Sequence, residues 1–166
     1  ATLEPLARVD VPLDTIAGET LQEVRVASIV ASPFEPTWVL SLKESGYLAV
    51  VDYTVPGFPI EQRIAAYRTL HDGGWDHSKR YFLVAANAEN RMLAIDVQTR
   101  TMVASFETGI RPHPGRGANW LDPVYGWVNA TIHIGEGTLA VYGADPVGHP
   151  EHAWQVVRSI DLPAAG

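Results

Sequence analysis

Short apolar runs of strand length recur along almost the whole chain, most of them bounded by Pro, Gly or polar turn residues. β-Branched and aromatic side chains dominate these runs, which is typical of strands. The predicted strands are Val24–Ser32, Trp38–Lys43, Leu48–Tyr53, Tyr81–Ala86, Met92–Val97, Thr101–Phe106, Val128–Ile134, Thr138–Gly143 and Trp154–Ile160. The segment Ile60–Leu70 has no apolar stripe of helical period, so it is predicted as loop or strand. The pattern therefore predicts an all-β fold.

A short apolar triplet recurs at intervals of 45 and 46 residues. Its copies are Leu48-Ala49-Val50, Leu93-Ala94-Ile95 and Leu139-Ala140-Val141, and each follows a strand and a polar tight turn. The surrounding repeats lie near 24–54, 80–107 and 126–162. A period of about 40–50 residues with several antiparallel strands indicates β-propeller blades, because one such sheet cannot bury both of its faces alone. A β-sandwich with coincidental triplets is the alternative.

Three repeats fill the 166 residues, whereas a closed propeller has about four to eight blades. We therefore expect residues 1–166 to form one partial propeller domain, an arc of a larger ring. The N-terminal Ala and the abrupt end at Gly166 agree with that expectation. An isolated arc exposes sheet faces meant for neighbouring blades, so we expect it to be unstable or to associate.

Composition and charge exclude several classes of function. With 46% apolar and 19% charged residues, the chain does not have a disordered composition, and it contains no apolar run long enough to span a membrane. A net charge of −7 argues against binding along a nucleic-acid backbone. The absence of Cys excludes disulfides, thiolate metal sites and covalently attached c-type haem. No secretory signal is visible.

Two histidines lie at matched places in successive repeats, each beside Gly-rich sequence that enters a predicted blade. His71 lies in Leu-His-Asp-Gly-Gly, and His113 lies in Pro-His-Pro-Gly-Arg-Gly. Loops at corresponding positions open on the same rim of a propeller, so both imidazoles are expected near the central axis. Arg116 adds a forked donor suited to a carboxylate, which predicts an anion or acid–base pocket. The alternative is two tight turns whose histidines bond local backbone; Asp72 either orients His71 or caps such a turn.

The remaining histidines suggest structural roles. His133 lies within a strand and is predicted as a core or rim residue, and His77 is predicted to be solvated. His149 and His152 have the i, i+3 spacing of metal ligands, but flanking Pro and Gly favour an exposed loop, and no metal site is predicted. No zinc-protease, P-loop or serine-hydrolase motif occurs. The five Trp are assigned to packing between blades, with a stacking platform for a flat cofactor as the alternative.

Four segments resemble the haem-d1-binding propeller of cytochrome cd1 nitrite reductases. They are LHDGGWD, KRYFLVAANAEN, PHPGRGANW and GADPVGHPEHAW, and the resemblance runs from about Leu3 to Ile160. It implies an eight-bladed propeller with haem d1 at its centre, in a periplasmic homodimer that reduces nitrite to nitric oxide. It also implies a separate haem c domain, supplied with electrons by a small c-type cytochrome or cupredoxin. The charge and the apolar pattern, as above, predict no nucleic-acid or membrane partner.

Carried over by position, His71 and His113 match the family's two distal histidines, which hydrogen-bond and protonate nitrite. Arg116 matches the arginine that contacts a carboxylate of the d1 macrocycle. In the family pattern, the proximal iron ligand, a distal tyrosine and the haem c domain precede residue 1, and further blades follow Ile160. The chain alone is therefore expected to be inactive.

Within the matched region, Val11–Val24 follows the family poorly, and Ile132 replaces a small hydroxyl residue. Two other readings stay open: a haem d1 biosynthesis or carrier protein with the same propeller, and a propeller binding module without haem.

Overall fold

The fold consists of three antiparallel sheets joined in series. A computed structural model describes residues 3–166, and in them the only helical element is a 3-10 turn, Asn87–Glu89. The first sheet contains β1 (Val26–Ala31), β2 (Thr37–Leu42), β3 (Tyr47–Asp52) and β4 (Ile60–Ala65). The second contains β5 (Leu70–Trp75), β6 (Tyr81–Ala86), β7 (Arg91–Asp96) and β8 (Thr101–Glu107). The third contains β9 (Pro112–His113), β10 (Trp120–Asp122), β11 (Gly126–His133), β12 (Thr138–Gly143) and β13 (Val156–Asp161).

Each sheet is an up-and-down meander whose strands pair in chain order, apart from β9, which pairs with β11 beside β10. Successive sheets pack face to face, and the innermost strands β1 and β5 lie next to each other. Four-stranded meanders stacked in this way are the blades of a β-propeller. The predicted all-β propeller arc of three blades is thus confirmed.

The first strand of each later blade differs from the prediction. The Gly-rich segments around His71 and His113 were predicted as loops, but both residues lie in strands, β5 and β9. Gly and Asp are depleted in strands, so these segments do not have the composition of a strand. Here the backbone of β5 is held by pairing with β6, and β9 is held by pairing with β11. The loop assignment was wrong because tertiary pairing outweighs local propensity at the inner edge.

The core lies between the blades. One cluster joins the first two blades and includes Leu48, Val50, Leu93 and Ile95, all buried. A second joins the last two blades, where the ring of Phe106 packs edge-on against another aromatic ring in the third blade. Among the tryptophans, the expected inter-blade packing holds for Trp75 at the first cluster and Trp154 at the second.

The apolar triplets do not occupy equivalent positions in the three blades. Leu48 and Leu93 face each other in the same inter-blade cluster, whereas Ala49 and Ala94 belong to two different clusters on opposite sides. A shift of one residue turns a strand's side chains to the other face. The turn-capping carboxylates Asp52 and Asp96 end equivalent strands 44 residues apart. The structural period between the first two blades is therefore 44 residues, within the predicted range of about 40–50 and one residue shorter than the spacing of the triplets.

Candidate functional site

A β-bulge places two polar side chains at the start of β5. Leu70 pairs with Ala86 and Gly73 pairs with Val84, so His71 and Asp72 together oppose a single residue of β6. A bulge of this kind breaks the alternation of side chains and is frequent beside functional sites. It frees the side chains of His71 and Asp72 from the buried faces of the blade.

The third blade brings its own imidazole to the same place. His113 lies in β9, where it pairs with Ile132 of β11. The chain then passes over β5, with the backbone of Arg116 directly against Gly74. A Cβ atom at Gly74 would overlap the carbonyl oxygen of Arg116, so this crossing requires glycine.

The two imidazoles converge on one carboxylate. The ring centroids of His71 and His113 lie 4.8 Å apart. His71 Nδ1 is 3.0 Å from Asp72 Oδ1, and His113 Nδ1 is 3.5 Å from Asp72 Oδ2. The backbone N–H of Gly115 also donates to Asp72 Oδ2. The Asp72 side chain is only 15% exposed, against 28% for His71 and 35% for His113, so the carboxylate lies behind the rings.

Arg116 lies in the turn after β9 of the third blade and connects it to the inner strands β1 and β5 of the first two blades. Its Nη1 donates to the carbonyl oxygen of Gly73 in β5 at 3.1 Å, and its Nη2 donates to that of Ile29 in β1, also at 3.1 Å. The residue is otherwise exposed. A guanidinium has five N–H groups, so these two bonds leave donors for a further partner.

The family model described as "Cytochrome D1 heme domain" matches residues 1–166. The chain belongs to the cytochrome d1 haem domain family. A nitrite reductase of Stutzerimonas stutzeri is 43% identical to it over 170 residues, which cover 99% of this chain and 30% of that protein. The chain thus spans less than a third of the length of the curated relative it matches.

Solved structures show the same fold at lower sequence identity. The dihydro-haem d1 dehydrogenase NirN, in complex with DHE, superposes with a TM-score of 0.72 at 24% identity, over 94% of this chain and 31% of that one. Hydrazine synthase of Kuenenia stuttgartiensis gives 0.67 at 14% identity, over 100% of this chain and 40% of that one. Apo AztD of Citrobacter koseri gives 0.61 at 14% identity, over 89% and 37%. At these identities, the three similarities show a shared fold and nothing about function.

The other histidines lie apart from this cluster. His133 is fully buried, with Nδ1 donating to the carbonyl oxygen of Thr138 at 2.8 Å and Nε2 3.1 Å from Thr108 Oγ1, so the predicted core role is confirmed. His77 is exposed, as predicted, and its ring stacks on Trp127 with centroids 3.3 Å apart.

His149 and His152 do not join the inner cluster. Their ring centroids lie 6.4 Å apart, and each ring has a nitrogen near Glu151, at 3.4 and 3.6 Å. Across residues 3–166, the one group of three ligating side chains whose ligand atoms lie within 4.8 Å of one another is His71, Asp72 and His113. This group therefore contains both histidines of the predicted pair.

A chain of hydrogen bonds through two amide side chains, the buried Asn129 and the exposed Asn119, supports the loop that carries Arg116. The fully buried Tyr142 hydroxyl donates to Asn129 Oδ1 at 2.9 Å, and Asn129 Nδ2 donates to Asn119 Oδ1 at 2.9 Å. Asn119 Nδ2 then donates to the carbonyl oxygen of Trp75 at 2.8 Å. Burial raises the pKa of Tyr142, so its hydroxyl remains a donor. Sequence reasoning missed Asn119 and Asn129, whose only sequence signal is an amide side chain close to the Gly-rich segment.

No helix within residues 3–166 has the length and apolar character needed to cross a membrane.

Proposed function

We propose that this chain forms the distal wall of a haem d1 nitrite reductase, which reduces nitrite to nitric oxide. The observation that carries the proposal is the histidine pair. Two imidazoles from adjacent blades lie 4.8 Å apart, and both turn Nδ1 toward Asp72. The Nε2 atom lies on the opposite side of an imidazole ring, so both rings can present it to one small ligand.

The residues at this inner edge have the chemistry that a bound haem d1 requires. Arg116 has free N–H donors beside His113, and a guanidinium is a good partner for a carboxylate of the macrocycle. The one carboxylate of the cluster, Asp72, lies behind the rings, where its oxygens accept hydrogen bonds from the Gly115 N–H and from His71 Nδ1. The accessible groups are therefore donors and cations, which favour an anionic cofactor edge and an anionic substrate.

The proposed roles of the chain's residues concern protons. Haem d1, when bound, supplies the iron that receives nitrite and the single electron for its reduction. Conversion of nitrite to nitric oxide consumes two protons and one electron and releases one water molecule. His71 and His113 each donate one proton from Nε2 to the same nitrite oxygen, which then leaves as water. Positioned donors of this kind contribute about 100-fold or more to a rate.

The remaining parts of the enzyme belong to the same proposal. Further blades, the proximal iron ligand and a haem c domain would come from outside this chain, which alone would be inactive. The whole enzyme would be a periplasmic homodimer active in denitrification, supplied with electrons by a small c-type cytochrome or cupredoxin.

A role in haem d1 biosynthesis is the second candidate, because the dihydro-haem d1 dehydrogenase NirN has the same fold over 94% of this chain. Nitrite turnover by the haem-loaded protein separates the two. Steady nitric oxide production supports the reductase, and cofactor binding without turnover supports the biosynthetic role.

The proposal is tested in the complete haem d1 protein by replacing His71 or His113 with Ala. Each substitution should lower nitrite turnover about 100-fold while the haem d1 absorption spectrum stays unchanged. His77→Ala is the matched control, because His77 follows the same inner strand yet lies exposed against Trp127. Unchanged turnover in both test variants would overturn the assignment.

A further inference from the structure

Asp72 contacts both histidines at once. Its two carboxylate oxygens face different blades: Oδ1 lies 3.0 Å from His71 Nδ1, and Oδ2 lies 3.5 Å from His113 Nδ1. Oδ2 also accepts the backbone N–H of Gly115, which fixes the carboxylate between the two rings. Because its side chain is only 15% exposed, water competes little for these contacts.

The charge and the bonding of this carboxylate decide which nitrogen of His71 carries the proton. A carboxylate can only accept, so Nδ1 of His71 must donate to Oδ1. Neutral His71 then has Nδ1–H and an unprotonated Nε2, which can take up a proton and pass it on. The negative charge beside the ring also offsets the positive charge of the imidazolium, as in other carboxylate–histidine pairs.

We propose that Asp72 is the positioning residue of the distal pair, fixing the Nδ1–H tautomer of His71 and holding both imidazoles so that Nε2 of each faces the substrate. The inference rests on the proposed function, because Asp72 acts only through the two histidines. It adds a partly buried carboxylate, contributed by one blade, that aligns proton donors from two.

Asp72→Asn tests this with a nearly isosteric change. The amide oxygen takes the Oδ2 place, where the Gly115 N–H requires an acceptor, so the NH₂ group faces His71 Nδ1. A donor in that place demands a lone pair on Nδ1, and His71 switches to the Nε2–H tautomer. Long-range proton–nitrogen NMR spectra of the histidine-labelled apo-protein show the switch directly, with the His71 and His113 signals assigned from the Ala variants.

The haem-loaded Asp72→Asn protein should show a kcat at least about tenfold lower, with the haem d1 absorption spectrum retained. Glu89→Gln is the control: it removes one exposed negative charge from the same blade and should change neither the tautomers nor kcat. If Asp72→Asn keeps Nδ1–H on His71 and wild-type kcat, the inference is overturned.

The outcomes also separate this inference from the proposed function. Wild-type turnover in both histidine variants would refute the function itself. Low turnover in those variants with an unaffected Asp72→Asn protein would refute only the role of Asp72. Because the NMR measurement uses protein without haem, a failure to load the cofactor cannot mimic the tautomer switch, and in the turnover assays the haem d1 absorption spectrum detects such a failure.

Discussion

At the scale of single residues, the site depends on close fitting of backbone between neighbouring blades. Gly74 has the backbone of Arg116 directly above it, and the Arg116 guanidinium reaches the carbonyl oxygens of Gly73 and Ile29. In these contacts Gly73, Gly74 and Ile29 take part through main-chain atoms. A methyl group added at the crossing would affect them most.

Gly74→Ala should therefore lower the free energy of unfolding of the complete propeller by about 3 kcal/mol, because the new Cβ overlaps the Arg116 carbonyl oxygen. Urea denaturation measures the change. Gly57→Ala is the comparison: its Cβ would meet open space, so only its positive φ opposes alanine, at a cost of about 1 kcal/mol. Equal effects of the two substitutions would show that the crossing is not tightly packed.

At the scale of strands and turns, a repeated carboxylate caps the turn after the third strand of the first two blades. Asp52 accepts the backbone N–H of Thr54, and Asp96 accepts those of Gln98 and Thr99. Asp96 also pairs with Arg80, with Nη2 and Oδ2 2.7 Å apart. Burial by itself would raise the pKa of Asp96, but the Arg80 and backbone donors outweigh it and hold that pKa below its usual range.

Asp96→Asn should consequently destabilise the protein in a pH-dependent way. A carboxyl whose pKa is lower in the folded state stabilises that state above the unfolded pKa of about 3.9, and the stabilisation disappears as pH falls through the folded value. The variant should unfold about 1–2 kcal/mol more easily at pH 7, and the difference should shrink below pH ~4. Asp10→Asn, at an exposed pair with Arg8, is the control. A difference that stays constant with pH would contradict the linkage.

The strands show which features local sequence encodes and which it does not. The apolar runs of β2, β3, β6 and β7 were predictable because both of their faces are buried. Strand β5 was not predicted, because its pairing with β6 depends on the packed blade and not on strand-forming side chains. The one-residue shift of the triplet between the first two blades could not be predicted, because the composition of the triplet does not reveal which face each residue occupies.

For the site, the matched positions of His71 and His113 predicted that the two would converge. The contact of His113 with Asp72 joins residues 41 positions apart and depends on the bulge in β5. Nothing in the local sequence indicates that bulge, so the shared carboxylate could be found only in three dimensions.

At the scale of the whole molecule, the two terminal blades carry exposed apolar faces. The first sheet exposes Val26 and Ile29, and the last exposes Ile160, with exposed fractions between 38% and 52%. A continuous apolar sheet face in water favours association.

The 166-residue chain on its own should therefore form oligomers at micromolar concentration, measurable by sedimentation velocity. Ile29→Lys combined with Ile160→Lys should shift it toward monomer, because a buried lysine charge opposes stacking of those faces. Lys79→Arg, at an exposed turn, should change nothing. A monomeric wild-type chain would contradict the prediction.

Arg116 is synthesised well after the two strands that its guanidinium joins. The two carbonyl groups that it binds belong to residues 43 and 87 positions earlier in the chain. At about 5–20 residues per second, the ribosome adds Arg116 roughly 4–17 s after Ile29. During that interval the emerging inner edge lacks the guanidinium that bridges its strands. The strands β1 and β5 are thus made before the side chain that joins them, so their link through Arg116 forms only after the start of the third blade has been synthesised.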